Sequence, residues 1–453
     1  MINTGTTKMT ITQLSSSLKK KEVSPVEVTQ AFFDKIEKLD SNVKAWVRLT
    51  KEEALAQAKV LEEDHTTMES LPLFGIPFGV KDIIYTKGVM TSAGSRVNEN
   101  FIPKEDATIV QKLKAAGSIV LGKTTTTEYA SLGGPPETRN PWNLEHTPGG
   151  SSSGSAAALA SQTAMFTLGT QTAGSLSRPA SFNGLTVLKG TFGLVSRNGI
   201  IPASWSLDHA GAFTHTVEDT CLVYNELLGH DPKDPASLKA GIEKLRCTDS
   251  VPLQTMKIGV PQDYFFDDID SSVQYVFDQT LQELKRLGVT LVPFQLPYNL
   301  IEANSAHETV MKTEMASYHE DMYQDRGHLY TESMQDLIRS GLKITATDYI
   351  KAQRIRDEYR ALLVSSLADV DAIVTPAAPT PAPYGIQATG SPRFNALFTN
   401  AGIPTLTIPA GFSNHLPIGI QFAGRPLTEQ TLINIGHRFQ LETDFHQQQA
   451  ITI

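Results

Sequence analysis

PGGSSSGSAAALASQTAMFTLGTQTAGSLSRPASFNG, residues 148–184, decides how this chain is read. It joins a Gly/Ser-rich loop, a run of small residues and a second Gly-rich turn ending at Ser175. Nothing in it is charged before Arg178. A flexible linker would lack the apolar Leu159, Met165, Phe166 and Leu168 that punctuate it. The expected structure is therefore a tight loop, a buried helix and a second tight loop. Glycine lets backbone approach backbone or ligand without steric penalty. Two such loops presenting serines are what hydroxyl-based nucleophilic catalysis needs.

Outward from this stretch, helical and strand patterns alternate. Ser24-Pro25-Val26-Glu27 supplies an N-cap, a proline at the first helical position and a glutamate three residues after the cap. Helices are expected over 10–21, 25–39, 50–63 and 105–116. A broken β-rich run is expected at 72–88 and a buried strand over 118–122. Beyond residue 225 the chain turns polar, then resumes with a strand at 256–261, a helix over 271–287 and another strand in GVTLVPF. A helical region follows over 301–370. DAIVTPAAPTPAP (371–383), GIPTLTIPAGF and LPIGIQFAG then return strands to the sheet. This alternation predicts an α/β layered fold. One large domain is expected. Residues 1–70 are N-terminal helices, 71–225 the catalytic core, 226–370 a decorating helical region and 371–453 the return to the sheet.

The 453 residues are 40% hydrophobic and 19% charged, an ordinary globular balance. A net charge of −9 argues against nucleic acid as a partner. No window is apolar enough for a membrane span, and the first residues lack a signal-peptide pattern. The two cysteines, Cys221 and Cys247, have no metal-ligand spacing and read as packing thiols of a cytoplasmic protein. A homodimer is the default for a soluble enzyme.

Three short patterns compete for the chemistry. Gly117-Ser-Ile-Val-Leu-Gly122-Lys123-Thr124 matches a phosphate-binding GxxxxGK[ST] loop and would make the chain a nucleotide-binding protein. Its Ile119, Val120 and Leu121 favour a strand instead. Gly150-Ser151-Ser152-Ser153-Gly154 matches GxSxG, but no strand precedes it and none of the 11 histidines has a catalytic context. The third pattern combines Lys81, at the end of the apolar run Phe74–Val80, with the two serine loops. Burial there would lower the lysine pKa and make it a base. The amides of the turn before Ser175 could form an oxyanion hole. The alternative for Lys81 is a surface pair with Asp82.

At these residues the chain resembles the amidase signature family over nearly its whole length. GIPFGVKD is similar to the family's lysine strand, PGGSSSGSAAA to its serine-rich loop and GTQTAGSLSRPASFNG to its nucleophile turn. The resemblance implies an α/β/α layered fold with a central mixed β-sheet covered by helices, and a Ser–cis-Ser–Lys triad. Ser175 would be the nucleophile, Ser151, on a cis peptide, the relay, and Lys81 the base. The amides of Thr172, Ala173, Gly174 and Ser175 would bind the oxyanion. No metal or organic cofactor is implied. The substrate would be a small amide or ureido compound, hydrolysed to release ammonia or an amine. Much of the family carries an acidic residue at the position of Gln171, glycine at that of Ala173 and arginine at that of Ser177. These differences point to a free-standing amidase or ureido-group hydrolase, and Arg178 is expected in a helix-end ion pair. A glutamine-hydrolysing amidotransferase subunit is the other reading within the family. The segment Tyr129–Pro136 and residues Met311, Met315, Tyr318 and His319 are candidates for the pocket wall, with core packing as their commoner role.

Overall fold

A computed structural model describes residues 6–64, 70–131, 133–239, 243–297 and 299–450. The chain opens with α1 (Ile11–Lys19) and α2 (Pro25–Val43). Ser24 caps α2, its hydroxyl accepting from the Glu27 amide while the Glu27 carboxylate accepts from the Ser24 amide. This is the reciprocal box expected from the sequence. The edge strand β1 (Trp46–Leu49) and α3 (Lys51–Glu63) follow. The core then alternates β2 (Pro77–Lys81), α4 (Thr108–Ala115), β3 (Ile119–Thr124), α5 (Ser153–Ala160), β4 (Phe166–Gln171) and α6 (Ser177–Asn183). It continues through β5 (Thr186–Lys189), β6 (His209–Thr214) and α7 (Val217–Leu227).

Next come β7 (Lys257–Pro261), α8 (Ser271–Arg286) and β8 (Thr290–Phe294). Three helices succeed them, α9 (Leu300–Arg326), α10 (Glu332–Leu342) and α11 (Ala346–Ser366). The chain ends with β9 (Ala372–Pro376), α12 (Arg393–Asn400), β10 (Thr405–Ser413), β11 (Leu416–Ala423) and α13 (Glu429–Glu442). The strands form one 11-stranded mixed sheet in the order β1-β3-β2-β4-β6-β5-β10-β11-β9-β7-β8. Its parallel pairs are β2 with β3 and β4, and β7 with β8 and β9. The expected α/β class is what the chain adopts. Residues 226–370, expected to decorate the core, supply β7 and β8 at one edge of the sheet as well as α8 to α11.

Two expectations change. Within the GxxxxGK[ST] match at 117–124, residues 119–124 are the fully buried strand β3, paired with β2. Lys123 is buried, with its ammonium donating to Ile84 O and Thr91 Oγ1, so nothing there is an open phosphate loop. Within 148–184, the expected loop–helix–loop also contains β4, a fully buried strand between β2 and β6. Central strands buried on both faces show no polar–apolar alternation.

The register of β2 and β4 sets where the candidate site forms. Phe78 is level with Phe166, their rings stacked at a centroid distance of 5.0 Å, and Val80 is level with Leu168. Lys81 therefore leaves the end of β2 beside the end of β4, where Thr170 and the Gly-rich turn begin. Ligand sites in open α/β sheets gather at such carboxyl ends of parallel strands.

Candidate active site

Lys81 is wholly buried, and its Nζ lies 2.8 Å from Ser151 Oγ, 3.0 Å from Ser152 Oγ and 2.8 Å from Thr170 Oγ1. The alternative of a surface pair with Asp82 is excluded. Asp82 faces Lys123 at 3.8 Å and accepts from the Ser92 amide at 3.0 Å and hydroxyl at 2.5 Å. Burial pushes the Lys81 ammonium down to about 7, against the opposing field of Asp208. Ser152 is itself a donor, to Thr170 O at 3.2 Å, so its hydroxyl proton is committed elsewhere.

Ser151 begins the turn into α5, and the Gly150–Ser151 peptide is cis. The loop before it turns through Gly149 at φ +81°, a region glycine enters freely. Gly154, the last residue of the GxSxG match, is a packing glycine. A Cβ there would meet Ala45 O and Thr125 N at 2.3 Å. The Thr127 amide donates to Ser151 O at 3.2 Å and ties the neighbouring segment to the loop.

Ser175 ends the turn between β4 and α6 and is almost fully buried. Its hydroxyl has no hydrogen-bond partner among the described residues. The amides of Thr172, Ala173, Gly174 and Ser175 likewise meet no acceptor among them. Gln171 shapes this turn. Its Oε1 accepts from the amides of Leu176 at 2.8 Å and Ser177 at 2.9 Å, and its Nε2 donates to Thr399 Oγ1 at 2.9 Å. Thr399 Oγ1 in turn donates to Ala173 O at 2.8 Å. The carboxamide at position 171 thus closes the turn from inside, and the amides at 172–175 are left outside that closure.

Arg178 corrects the sequence expectation. Among the described residues it forms no ion pair, although the side chain is 2% exposed. One terminal nitrogen, Nη1, donates to Gly390 O at 2.7 Å. The other, Nη2, donates to Gly150 O at 2.7 Å and to Thr389 Oγ1 at 3.1 Å. Desolvation without a carboxylate partner lowers its pKa to about 10, still cationic at neutral pH. The guanidinium therefore pins the carbonyl that precedes Ser151 to the 389–390 loop.

Of the residues expected at the site, Lys81 and Ser151 are in contact, and Ser175 lies in the turn that follows β4. The sequence reading missed Ser152 and Thr170 as lysine partners, and it missed Asp208. The Thr172 hydroxyl donates to Asp208 Oδ1 at 2.6 Å, while Oδ2 accepts from the amides of Ala203 and Ser204. Burial raises that carboxyl to about 6 despite these donors. Recognising β4 would have put Thr170 beside Lys81; nothing local marked Asp208. A cleft of about 510 Å³, walled by Thr170, Asp208, His209, Arg197, Trp205 and Phe192, opens on this flank. Among the candidate wall residues, Tyr129 and His319 pack edge to face at 4.3 Å, and Met311 and Met315 are buried. Core packing accounts for those four. Leu132, within the Tyr129–Pro136 segment, lies outside the described residues.

Among the described residues no three His, Cys, Asp or Glu side chains are grouped to hold a metal ion, and no helix is long and apolar enough to cross a membrane. The family model for Amidase matches residues 27–433. The chain is 37% identical to the A subunit of glutamyl-tRNA(Gln) amidotransferase from Coxiella burnetii (strain Dugway 5J108-111), over 97% of this chain and 98% of the relative. The structure resembles the native peptide amidase from Stenotrophomonas maltophilia at a TM-score of 0.84 and 29% identity, covering 96% of this chain and 97% of that one. It resembles the A subunit of glutamyl-tRNA(Gln) amidotransferase from Thermotoga maritima at 0.81 and 29%, covering 97% and 95%. With the family's matched span enclosing the lysine strand and both serine loops, the chain belongs to the amidase signature family, enzymes that cleave C–N amide bonds.

Proposed function

We propose that this chain hydrolyses a carboxamide through an acyl-enzyme on Ser175, with Ser151 relaying the proton and Lys81 as the base. The observation that carries this reading is the 2.8 Å contact between Lys81 Nζ and Ser151 Oγ, with both side chains buried. A lysine at about 7 is substantially neutral near neutral pH. The neutral amine has two N–H donors and one lone pair. Ser152, whose proton goes to Thr170 O, takes one donor. Thr170 takes the other, and the lone pair is left for the Ser151 proton.

As Ser175 Oγ bonds to the substrate carbonyl carbon, its proton passes to Ser151 and that of Ser151 to Lys81. The free amides at 172–175 receive the developing oxyanion, each donor contributing about 3 kcal/mol. Lys81 returns the proton through Ser151 to the leaving nitrogen, and the C–N bond breaks to release ammonia or an amine. Water then attacks the ester by the same proton route and frees the acid.

The relatives favour the side-chain amide of glutamine as substrate, with the chain serving as the amide-hydrolysing subunit of an amidotransferase. A free-standing amidase acting on another small amide, ureide or carbamate is the second reading. Gln171 and Ala173 in the nucleophile turn and the likeness to a peptide amidase favour it. The test is ammonia release from L-glutamine and from a panel of amides and ureides, with and without the proteins that co-purify with the chain. Glutamine hydrolysis that rises with two co-purifying partners supports the first reading. Turnover of another amide by the isolated chain, with glutamine inert, supports the second. Ammonia release that is equal in the Ser175→Ala variant contradicts both.

A further inference from the structure

Cys221 and Cys247, which the sequence suggested were simple packing thiols, stand with their sulfurs 3.1 Å apart. Cys221 lies on α7 and is buried, whereas Cys247 lies in the segment before β7 and is partly exposed. The placement is enforced from both sides. On α7, the Asn225 amide donates to Leu245 O at 2.9 Å and accepts from the Leu245 amide at 2.7 Å. On α13, the Gln430 side chain donates to Arg246 O at 2.8 Å and accepts from the Arg246 amide at 2.9 Å. Arg438 donates to Asp249 O at 2.7 Å. Two-point clamps on residues 245 and 246 thus hold Cys247 over Cys221.

The third neighbour is an imidazole. His437, on α13, lies close enough to Cys247 to act on its charge, and its Nε2 lies 2.8 Å from Asp249 Oδ1. The Cys221 hydrogen bond and the His437 imidazole both push the Cys247 thiol down, while burial opposes them. Cys247 and Asp249 raise His437 to about 9. The Glu218 carboxylate bears on both thiols and disfavours thiolate. No metal-binding cluster of three or more His, Cys, Asp or Glu side chains forms among the described residues.

We propose that Cys247 and Cys221 form a two-cysteine site that reacts with peroxides and closes to an intramolecular disulfide, Cys247 attacking and Cys221 resolving. In the first step the Cys247 thiolate attacks one peroxide oxygen. The S–O bond forms, the O–O bond breaks, and the leaving hydroxide takes a proton from the His437 imidazolium. In the second, Cys221 sulfur attacks the Cys247 sulfenic acid. The S–S bond forms, the S–O bond breaks, and water departs with the Cys221 proton. Two thiols are oxidised by two electrons and one peroxide is reduced to two waters. The attacking thiol is the partly exposed one next to an imidazole, the setting in which cysteines react fastest. The resolving thiol needs no access to peroxide because it already touches its target.

The test treats the reduced full-length protein with hydrogen peroxide at neutral pH, blocks free thiols with N-ethylmaleimide and maps peptides without reductant. The expected product is a Cys221–Cys247 linked peptide pair, reversed by dithiothreitol, in protein that shows no intermolecular disulfide. In Cys221→Ala, Cys247 is expected to stop at a sulfenic acid trapped by dimedone. In His437→Gln, thiol loss is expected to slow roughly tenfold as the thiolate fraction falls. Both thiols still accepting maleimide after peroxide, or Cys247 oxidised without linkage to Cys221, overturns the proposal without requiring any variant to fold. Cys221 oxidised as fast in Cys247→Ser as in the unmodified chain overturns the order of attack.

Discussion

The Arg178 guanidinium donates to the Gly150 carbonyl at 2.7 Å, a buried cation holding the peptide that carries Ser151. Its other contacts, Gly390 O and Thr389 Oγ1, belong to a loop more than 200 residues away. An ammonium cannot reproduce this planar two-armed grip. Arg178→Lys is therefore expected to lower kcat about tenfold or more while KM moves less, because misplacement of a reacting group is felt in the chemical step. Steady-state kinetics on whichever amide is turned over checks this. A kcat equal to that of the unmodified chain would show that Gly150 is positioned by other means.

Gln171 closes the nucleophile turn through two accepted bonds and one donated bond. Gln171→Ala leaves the amides of Leu176 and Ser177 buried and unpaired. The expected loss is about 2–4 kcal/mol in urea unfolding, with activity falling further than stability. Gln171→Glu keeps the two accepted bonds but loses the donation to Thr399, whose own proton goes to Ala173 O. A smaller loss is expected there. Equal stability of Gln171→Ala and the unmodified chain would refute the closure.

Lys81 sets the pH dependence. It is the base only when neutral, so kcat/KM is expected to fall tenfold per pH unit below about 7. The charge of Asp208 raises the Lys81 pKa against the dominant effect of burial. Asp208→Asn is therefore expected to move this acid limb to lower pH. A limb that stays in place in that variant removes Asp208 from the account.

The same lysine has a signature in stability. Its folded pKa lies below the value of 10.5 it would have in an unfolded chain. Between about 7 and 10.5 the unfolded state binds more protons, so stability rises with pH across that window. The penalty for burying Lys81 is complete below pH 7 and relieved toward 10.5. The stability of Lys81→Met relative to the unmodified chain is thus expected to be more favourable at about pH 6 than at about pH 9. Thermal melts at the two values check the sign.

Much of this was legible in the sequence where a local rule governs. The Ser24 box fixed the start of α2, and three consecutive β-formers at 119–121 overrode a literal phosphate-loop match. Lys81 was marked by the apolar run before it. The features that escaped notice depend on contacts distant in sequence. β4 was hidden because Thr167, Gly169 and Thr170 are buried on both faces and carry no alternation. Thr170 was missed with it as a lysine partner. Arg178 is the second residue of α6, which suggested a carboxylate, yet its acceptors are the carbonyls at 150 and 390 and the Thr389 hydroxyl. Cys221 and Cys247 are 26 residues apart, and only the packing of α7 and α13 around residues 245–249 makes them neighbours.

The most direct test is mass spectrometric mapping of the chain after reaction with a serine-directed fluorophosphonate. One adduct on Ser175 is expected, abolished in Ser175→Ala together with turnover and strongly slowed in Lys81→Ala. An adduct on another serine, or full turnover by Ser175→Ala, would contradict the assignment of the nucleophile.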